Sequence, residues 1–270
     1  MKIAVISLSN EGARLAARLA EGWAGNPSFQ GEPVAVDVFL HTGVTEMPEA
    51  RRFDRIVDLT REIFSAYDGL VYIAPAGLVV RAIAPCLEHK TVDPGVVVVD
   101  VGGRWAVSLL GGHEGGANAL AVAVANLLGA EPVISTTTEA VKDLIVGVGC
   151  RRGTAAAAIV AAVREAIAMA SCDLARVRLL ASADIKAGEA GLIEAARELG
   201  IPLRLVASEE IRGAVGPFER SAFVQEKVDL PAVAEPAALL AGRRTQLLLP
   251  KQIIDHVTVA IARENCTSLG

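Results

Sequence analysis

The chain has 270 residues, enough for two domains, and a net charge of −5 with no long block of one sign; a basic groove for nucleic acid is excluded, because phosphate binding needs clustered Lys and Arg. Hydrophobic residues make up 52% and aromatic residues only 4%, so the core is built from Ala, Val, Leu and Ile, the composition of helices packed on buried parallel strands. The longest uncharged stretch, Gly115 to Ala130, is shorter than the ~20 apolar residues that span a bilayer and contains Asn118 and Asn126, so no membrane partner is expected.

Strand and helix signals alternate through the first half. Ile3–Leu8 is a β-branched apolar run ending at Ser9-Asn10, either of which can cap a helix carrying Leu15, Leu19 and Trp23 on one face. Val34–Leu40 and Arg55–Leu59 read as strands, Arg61–Tyr67 as a short helix and Gly69–Ala74 as a buried strand. Pro75-Ala-Gly77 breaks the chain before a helical Leu78–Ala84. Val96–Val101 and Trp105–Leu110 flank Gly102-Gly103, a two-residue hairpin signal, and the loop 111–118 launches a helix reaching Leu128.

The second half restarts the pattern. Leu144–Gly149 is a strand, Cys150-Arg-Arg-Gly-Thr154 a turn, Ala155–Ala170 an Ala-rich helix and Val177–Ser182 a strand. Gly188–Leu199 is a helix closed by Gly200, followed by the strand Leu203–Val206. Thr245–Leu249 and Val257–Ala262, joined by a short polar turn, read as an antiparallel edge pair. The expected fold class is α/β, with two α/β domains of mostly parallel sheets, the second ending in that edge pair. Residues 1–140 form one domain and 141–270 the other. Such sheets collect ligands at the carboxyl ends of their strands.

The run Leu109-Leu-Gly-Gly-His-Glu-Gly-Gly-Ala-Asn118 carries the strongest chemical signal. Gly111, Gly112, Gly115 and Gly116 permit positive φ and close approach of the backbone to a ligand. The N–H groups opening the next helix are expected to be unsatisfied and suited to a carboxylate or developing oxyanion. His113 supplies a general base or acid near neutral pH, and Glu114 either orients it or takes part itself. A tight turn with an exposed histidine is the plainer alternative. The spacing is not GxGxxG, and no acidic residue closes an appropriate following strand, so a dinucleotide fingerprint fails.

Gly147-Val-Gly-Cys-Arg-Arg-Gly-Thr154 is a second strand-to-helix junction. Arg151 and Arg152 beside free helix N–H groups, with Gly153 and Thr154, form an anion-binding design for carboxylates or phosphates. A solvated basic turn capped by Thr154 is the alternative, and the missing GK[ST] ending excludes a Walker loop. Cys150 reads as core rather than nucleophile. Lys90 can neutralise a substrate carboxylate and Asp100 lies at a strand end where ligands collect, with surface solvation the alternative for each, and Thr136 and Thr137 offer hydroxyl donors or simply form a turn. Glu189, next to Lys186, reads as favourable first-turn charge. The remaining histidines, His41, His89 and His256, have no ligating or catalytic neighbours. Cys86, Cys150, Cys172 and Cys266 show no metal-ligand spacing and, with no secretion signal at the N-terminus, read as free thiols in a reducing cytoplasm. No metal site is expected.

Several of these stretches together resemble one family. Gly69–Pro85, Lys90, Asp93-Pro94, Val96–Asp100, Ser108–Asn118 and Pro132-Val-Ile-Ser-Thr-Thr-Thr138, in that order, resemble the N-terminal domain of the CbiG family of anaerobic cobalamin biosynthesis. Gly147–Thr154, Asp184-Ile-Lys-Ala-Gly-Glu189 and Glu235-Pro-Ala-Ala238 resemble its C-terminal domain. Many members carry a middle segment between the two, whereas here Thr138 runs almost directly into Leu144. The resemblance implies a cobalt-precorrin-5A hydrolase. Its substrate is a cobalt-corrinoid with a δ-lactone and many carboxylate arms; water opens the lactone and acetaldehyde is released. It also implies that cobalt arrives on the substrate, with no cofactor of the protein's own. A homodimer and transient contacts with other cobalamin-pathway enzymes are compatible with it. In this reading His113 activates water or shuttles a proton, and the Gly115 and Gly116 amides hold the oxyanion. Arg151, Arg152 and Lys90 bind carboxylate arms. The competing readings are a non-catalytic corrinoid carrier, a nucleotide-dependent α/β enzyme and a methyltransferase. Nucleotide motifs fail, and no sulfonium-cofactor motif is found.

Overall fold

Parallel strands buried on both faces dominate the first of two units, Met1–Thr136 and Thr137–Gly270, in a computed structural model that describes residues 1–25, 28–29, 32–214 and 232–265. The first unit runs β1 (Lys2–Ser7), α1 (Asn10–Gly25), the two-residue strands β2 (Ser28–Phe29) and β3 (Glu32–Pro33), β4 (Ala35–His41), β5 (Arg51–Phe53) and α2 (Ile56–Ile63). It continues through β6 (Gly69–Ile73), α3 (Ala76–Ile83), β7 (Gly95–Val99), β8 (Trp105–Leu110), α4 (Ala117–Leu128) and β9 (Glu131–Val133). Its sheet has the order β5-β4-β1-β6-β7-β8-β9. The first five of these are parallel, β8 reverses against β7, and β9 runs parallel to β8.

Side chains alternate along each strand with period two. Ile3, Val5, Val71, Ile73, Val97 and Val99 therefore meet Leu19 and Trp23 of α1 and Leu120 and Val124 of α4. Ala4, Ile6, Leu70, Tyr72, Val96 and Val98 meet Ile56, Leu59 and Ile63 of α2 and Val79 and Ile83 of α3 on the other face. Each fully buried Val, Leu or Ile contributes about 1.5–3 kcal/mol, and two covered faces explain why these strands read as unbroken apolar runs. Tyr72 is fully buried, and its hydroxyl is satisfied by Thr60 at 3.0 Å. Of the two capping candidates it is Ser9 that caps α1, its Oγ accepting the Gly12 N–H at 3.1 Å, while Asn10 Oδ1 accepts the Thr45 N–H.

The second unit runs α5 (Thr137–Ala140), β10 (Leu144–Gly149), α6 (Ala156–Met169), β11 (Val177–Ala183), α7 (Ala190–Leu199), β12 (Leu203–Val206), α8 (Ser208–Gly213), α9 (Ala234–Leu240), β13 (Thr245–Ile254) and β14 (Val257–Glu264). Its sheet has the order β12-β11-β10-β14-β13, with β10, β11 and β12 parallel and β14 antiparallel to both neighbours. Val146, Val148, Leu180, Val259 and Ile261 pack against Ile159 and Val163 of α6 and Leu192 of α7. Asp255 and His256, both at positive φ (44° and 68°), turn β13 into β14, the requirement of a tight two-residue hairpin; His256 is a turn residue. The fold is thus α/β, with mostly parallel sheets and an antiparallel edge pair.

Two local expectations are corrected. Arg55–Leu59 is not a strand: Ile56, Leu59 and Ile63 are the buried face of helix α2, and the strand is the shorter β5 before it. Apolar residues at positions 56, 57 and 59 fit either period, and only the packed face decides. The β7–β8 turn is not a two-residue one. It spans residues 100–104, and the Asp100 carboxylate organises it by accepting the N–H groups of Gly102, Arg104 and Trp105. Cys86, Cys150 and Cys172 are free thiols; Cys266 lies outside the described residues.

Candidate active site

Because β8 runs against β7, the loop after β8 lies at the amino ends of the five parallel strands and at the carboxyl ends of β8 and β9. It rests on the start of β7. A Cβ on Gly111 would come within 2.9 Å of the Pro94 carbonyl, and one on Gly115 within 3.0 Å of the Gly95 nitrogen. Side chains at either position would lift the loop off the sheet. Asp100 belongs to the opposite end of the β7–β8 hairpin, so the structure does not bring it together with His113.

The helix start behind this loop is not the open anion site that the sequence suggested. The Ala117 N–H donates to the Gly111 carbonyl at 3.1 Å, the Asn118 N–H to that of Gly112 at 2.9 Å, and the Gly116 N–H to that of His113 at 3.4 Å. Gly111 and Gly116, at φ +66° and +74°, fold the loop back so that its own carbonyls cap α4. The Gly115 amide makes no hydrogen bond to a described residue.

Glu114 does not orient His113. Its carboxylate lies 3.0 Å from Lys90 Nζ, and the hydrogen bond from Lys90 holds the Glu114 carboxyl below the usual carboxylate range. His113 is exposed, and its ring makes no hydrogen bond to a described residue. Lys90 is carried by a turn in which buried Asp93 accepts the Glu88 N–H at 3.0 Å. On the inner side of the loop, Ser108 Oγ donates to Asn118 Oδ1 (2.8 Å) and Asn118 Nδ2 donates to Thr136 Oγ1 (2.9 Å). Gly112 lies against this chain, where a Cβ would be 2.5 Å from Thr136 Cγ2. The first unit thus gathers Gly111, Gly112, His113, Glu114, Gly115, Gly116, Asn118, Lys90 and Thr136. Thr137 is exposed and opens α5 in the second unit.

The second unit holds its own loop at the carboxyl ends of β10 and β11. Gly153, at φ +75°, donates its N–H to Glu189 Oε1 at 2.7 Å. The other carboxylate oxygen of Glu189 lies 3.5 Å from Lys186 Nζ. Glu189 is buried and makes no side-chain cap on α7; its task is to pin the loop. The contact joins residues 36 apart, and nothing local in the sequence signals it. Thr154 does not cap α6 with its side chain, donating instead to the Arg151 carbonyl at 2.8 Å. The Ala156 and Ala157 N–H groups make no hydrogen bond to a described residue. Arg151 and Arg152 are exposed beside them, and neither pairs with a described carboxylate. An open 14-residue helix start beside two exposed guanidinium groups offers the donors and positive charge that suit an anion. Burial pushes the Cys150 thiol up, which favours the unreactive thiol.

A cleft of about 630 Å³ opens between β5 and α2 of the first unit, and none of the residues singled out from the sequence lines it. Its cations are already engaged. Lys2 and Arg51 pair with Asp37, Arg55 pairs with Asp58, and Arg52 donates to the carbonyls of Val44, Glu46 and Met47. Burial, aided by the Asp37 hydrogen bond, pushes the Tyr67 phenol there up to about 12. Among the described residues no group of three or more His, Cys, Asp and Glu is arranged to hold a metal ion, and no helix is long and apolar enough to cross a membrane.

Fold and site define an α/β protein with a glycine-bearing strand-to-helix loop in each of two units. Residues 58–139 match the family model for the cobalamin synthesis G N-terminal region, and residues 144–262 match that for the cobalamin synthesis G C-terminus. The chain belongs to the CbiG family. It is 25% identical over 275 positions to the cobalt-precorrin-5A hydrolase of Salmonella typhimurium, covering 68% of this chain and 78% of that protein. To the cobalt-precorrin-5A hydrolase of Priestia megaterium it is 24% identical over 358 positions, covering 96% and 94%. To the protein CobE of a Sinorhizobium species it is 32% identical over 128 positions, covering 47% of this chain and 83% of that protein. The alignment of 358 positions exceeds the 270 residues of this chain, so that relative carries residues absent here. The two family models leave only residues 140–143 between them.

Proposed function

We propose that this protein is a cobalt-precorrin-5A hydrolase, which opens the δ-lactone of a cobalt-corrinoid with water and releases acetaldehyde. The observation that carries the reading is the first-unit loop. It presents an exposed imidazole, free of any hydrogen bond to a described residue, on a glycine frame fixed to the sheet. The names of the Salmonella and Priestia relatives supply the reaction class.

In the hydrolytic step His113 takes a proton from water as its oxygen bonds to the lactone acyl carbon. In the second step a base removes the proton of the newly freed hydroxyl, the carbon–carbon bond breaks, and acetaldehyde leaves while the macrocycle keeps the electron pair. The Gly115 amide is a backbone donor for the developing oxyanion. Arg151, Arg152 and the open start of α6 hold carboxylate arms, and Lys90, already neutralised in part by Glu114, adds a weaker contact. Cobalt belongs to the substrate, and the residues assigned here work without a cofactor of the protein's own. The reading places the protein in the cytoplasm, with a homodimer and passing contacts to other enzymes of the pathway as its associations.

Replacing Arg151 or Arg152 singly with Ala is expected to raise KM about fivefold, the scale of one exposed charged hydrogen bond, while kcat stays within about twofold. Steady-state rates check this, and a fall in kcat at unchanged KM would place the arginines at the reacting atoms instead. The function itself is tested by incubating purified protein with the lactone-bearing cobalt-corrinoid and trapping acetaldehyde. Release supports the hydrolase; tight binding without release makes the protein a corrinoid carrier.

A further inference from the structure

The chain Ser108–Asn118–Thr136 runs in one direction. A carboxamide oxygen only accepts and its nitrogen only donates, so Ser108 donates to Asn118 Oδ1 and Thr136 accepts from Asn118 Nδ2. Asn118 is only 7% exposed, which makes an unsatisfied amide costly and keeps its orientation fixed. Thr136 therefore has its oxygen engaged on the inner side. Its own hydrogen has no acceptor among the described residues, and the side chain is half-buried, open to a ligand. It touches Gly112, the neighbour of His113. The backbone donors most often used at such a junction are spent, since the Ala117 and Asn118 N–H groups go to the loop's carbonyls.

We infer that the Thr136 hydroxyl is a further catalytic group of this site, donating to the acyl oxygen of the lactone, with Asn118 and Ser108 as positioning residues that direct it outward. The inference rests on the hydrolase reading for the identity of that oxygen. As the water oxygen bonds to the acyl carbon and His113 takes its proton, the carbonyl π pair moves onto the acyl oxygen, where the Thr136 hydroxyl meets the new charge. On collapse the ring C–O bond breaks, and the leaving oxygen takes the proton back from His113. A donor placed at a developing charge acts mainly on kcat.

The test compares Thr136→Val, which removes the hydroxyl at nearly constant volume, with Thr136→Ser, which restores it. Rates are taken per folded protein, and Thr136→Cys, a weak donor, replaces the Val variant where that does not fold. The expected result is a loss of about 100-fold in kcat with a smaller rise, about fivefold, in KM for T136V, and near wild-type values for T136S. A purely structural role would lower activity through folded fraction and leave both constants per folded molecule unchanged, which overturns the inference. Affinity for the same intermediate, followed by its visible absorption, decides the matter independently of turnover. About a fivefold rise in Kd for T136V, recovered in T136S, supports the donor, and equal Kd values overturn it. Wild-type protein that binds without releasing acetaldehyde contradicts the hydrolase reading and leaves that affinity comparison standing. Wild-type protein that does not bind overturns both.

Discussion

Substituting His113 with Ala is expected to lower kcat for acetaldehyde release by about 10²–10⁴-fold, the usual worth of a positioned general base, with Kd for the corrinoid changed less than about twofold. The loop makes this prediction clean. The His113 ring is exposed and makes no hydrogen bond to a described residue, so its removal takes away no side-chain hydrogen bond that holds the loop. The loop is held instead by backbone bonds from Ala117, Asn118 and Gly116 and by the close seating of Gly111 and Gly115 on the start of β7. Glu114 stays ion-paired to Lys90 in the variant and is not poised to take over the proton. His113→Gln, which keeps a polar side chain but no titratable nitrogen, is expected to behave as the Ala variant does. Steady-state rates at saturating substrate check both; wild-type turnover in either variant removes His113 from the chemistry.

The second large effect is on stability. A Cβ on Gly191 would lie 1.9 Å from the Thr154 carbonyl oxygen and 3.1 Å from its carbon. Both partners in that clash are backbone, so neither can rotate away. Either α7 moves or the loop carrying Arg151 and Arg152 opens, and the Gly153–Glu189 hydrogen bond ties the two together. Overpacking costs about 1–3 kcal/mol when side chains can adjust and more when they cannot, so Gly191→Ala is expected to destabilise the second unit by about 3 kcal/mol or more. Gly188→Ala is the control: nothing lies within 4 Å of its Cβ position, and its cost should be near zero. Urea unfolding of both variants checks the pair. A Gly191→Ala protein as stable as Gly188→Ala would mean that helix and loop are not packed as described.

Much of this architecture was legible because burial leaves a one-dimensional trace. Ile3–Ile6, Val96–Val99 and Leu144–Val148 are covered on both faces and read as apolar runs, and Gly200 closes α7 at φ +66° as a helix-ending glycine should. The failures lie where a short segment fits two periods, as at Ile56–Leu59, or where a side chain's partner is distant in the chain. Both glycine loops looked like open helix starts. Only the fold shows that the carbonyls of Gly111 and Gly112 close the first, while Ala156 and Ala157 leave the second open. Glu189 passed for first-turn charge because Gly153 is far away in sequence, and Asp100 passed for a ligand group although three backbone N–H groups already use its carboxylate. Thr136 was visible as a hydroxyl, but its direction depends on Asn118 and could not be read from spacing.

The central claim, that this chain cleaves its corrinoid rather than merely holding it, is tested most directly by the mass of the corrinoid after incubation with purified protein. The account predicts a product lighter than the lactone-bearing intermediate by the two-carbon unit lost as acetaldehyde, once the added water is counted. A bound corrinoid recovered with its mass unchanged would contradict it.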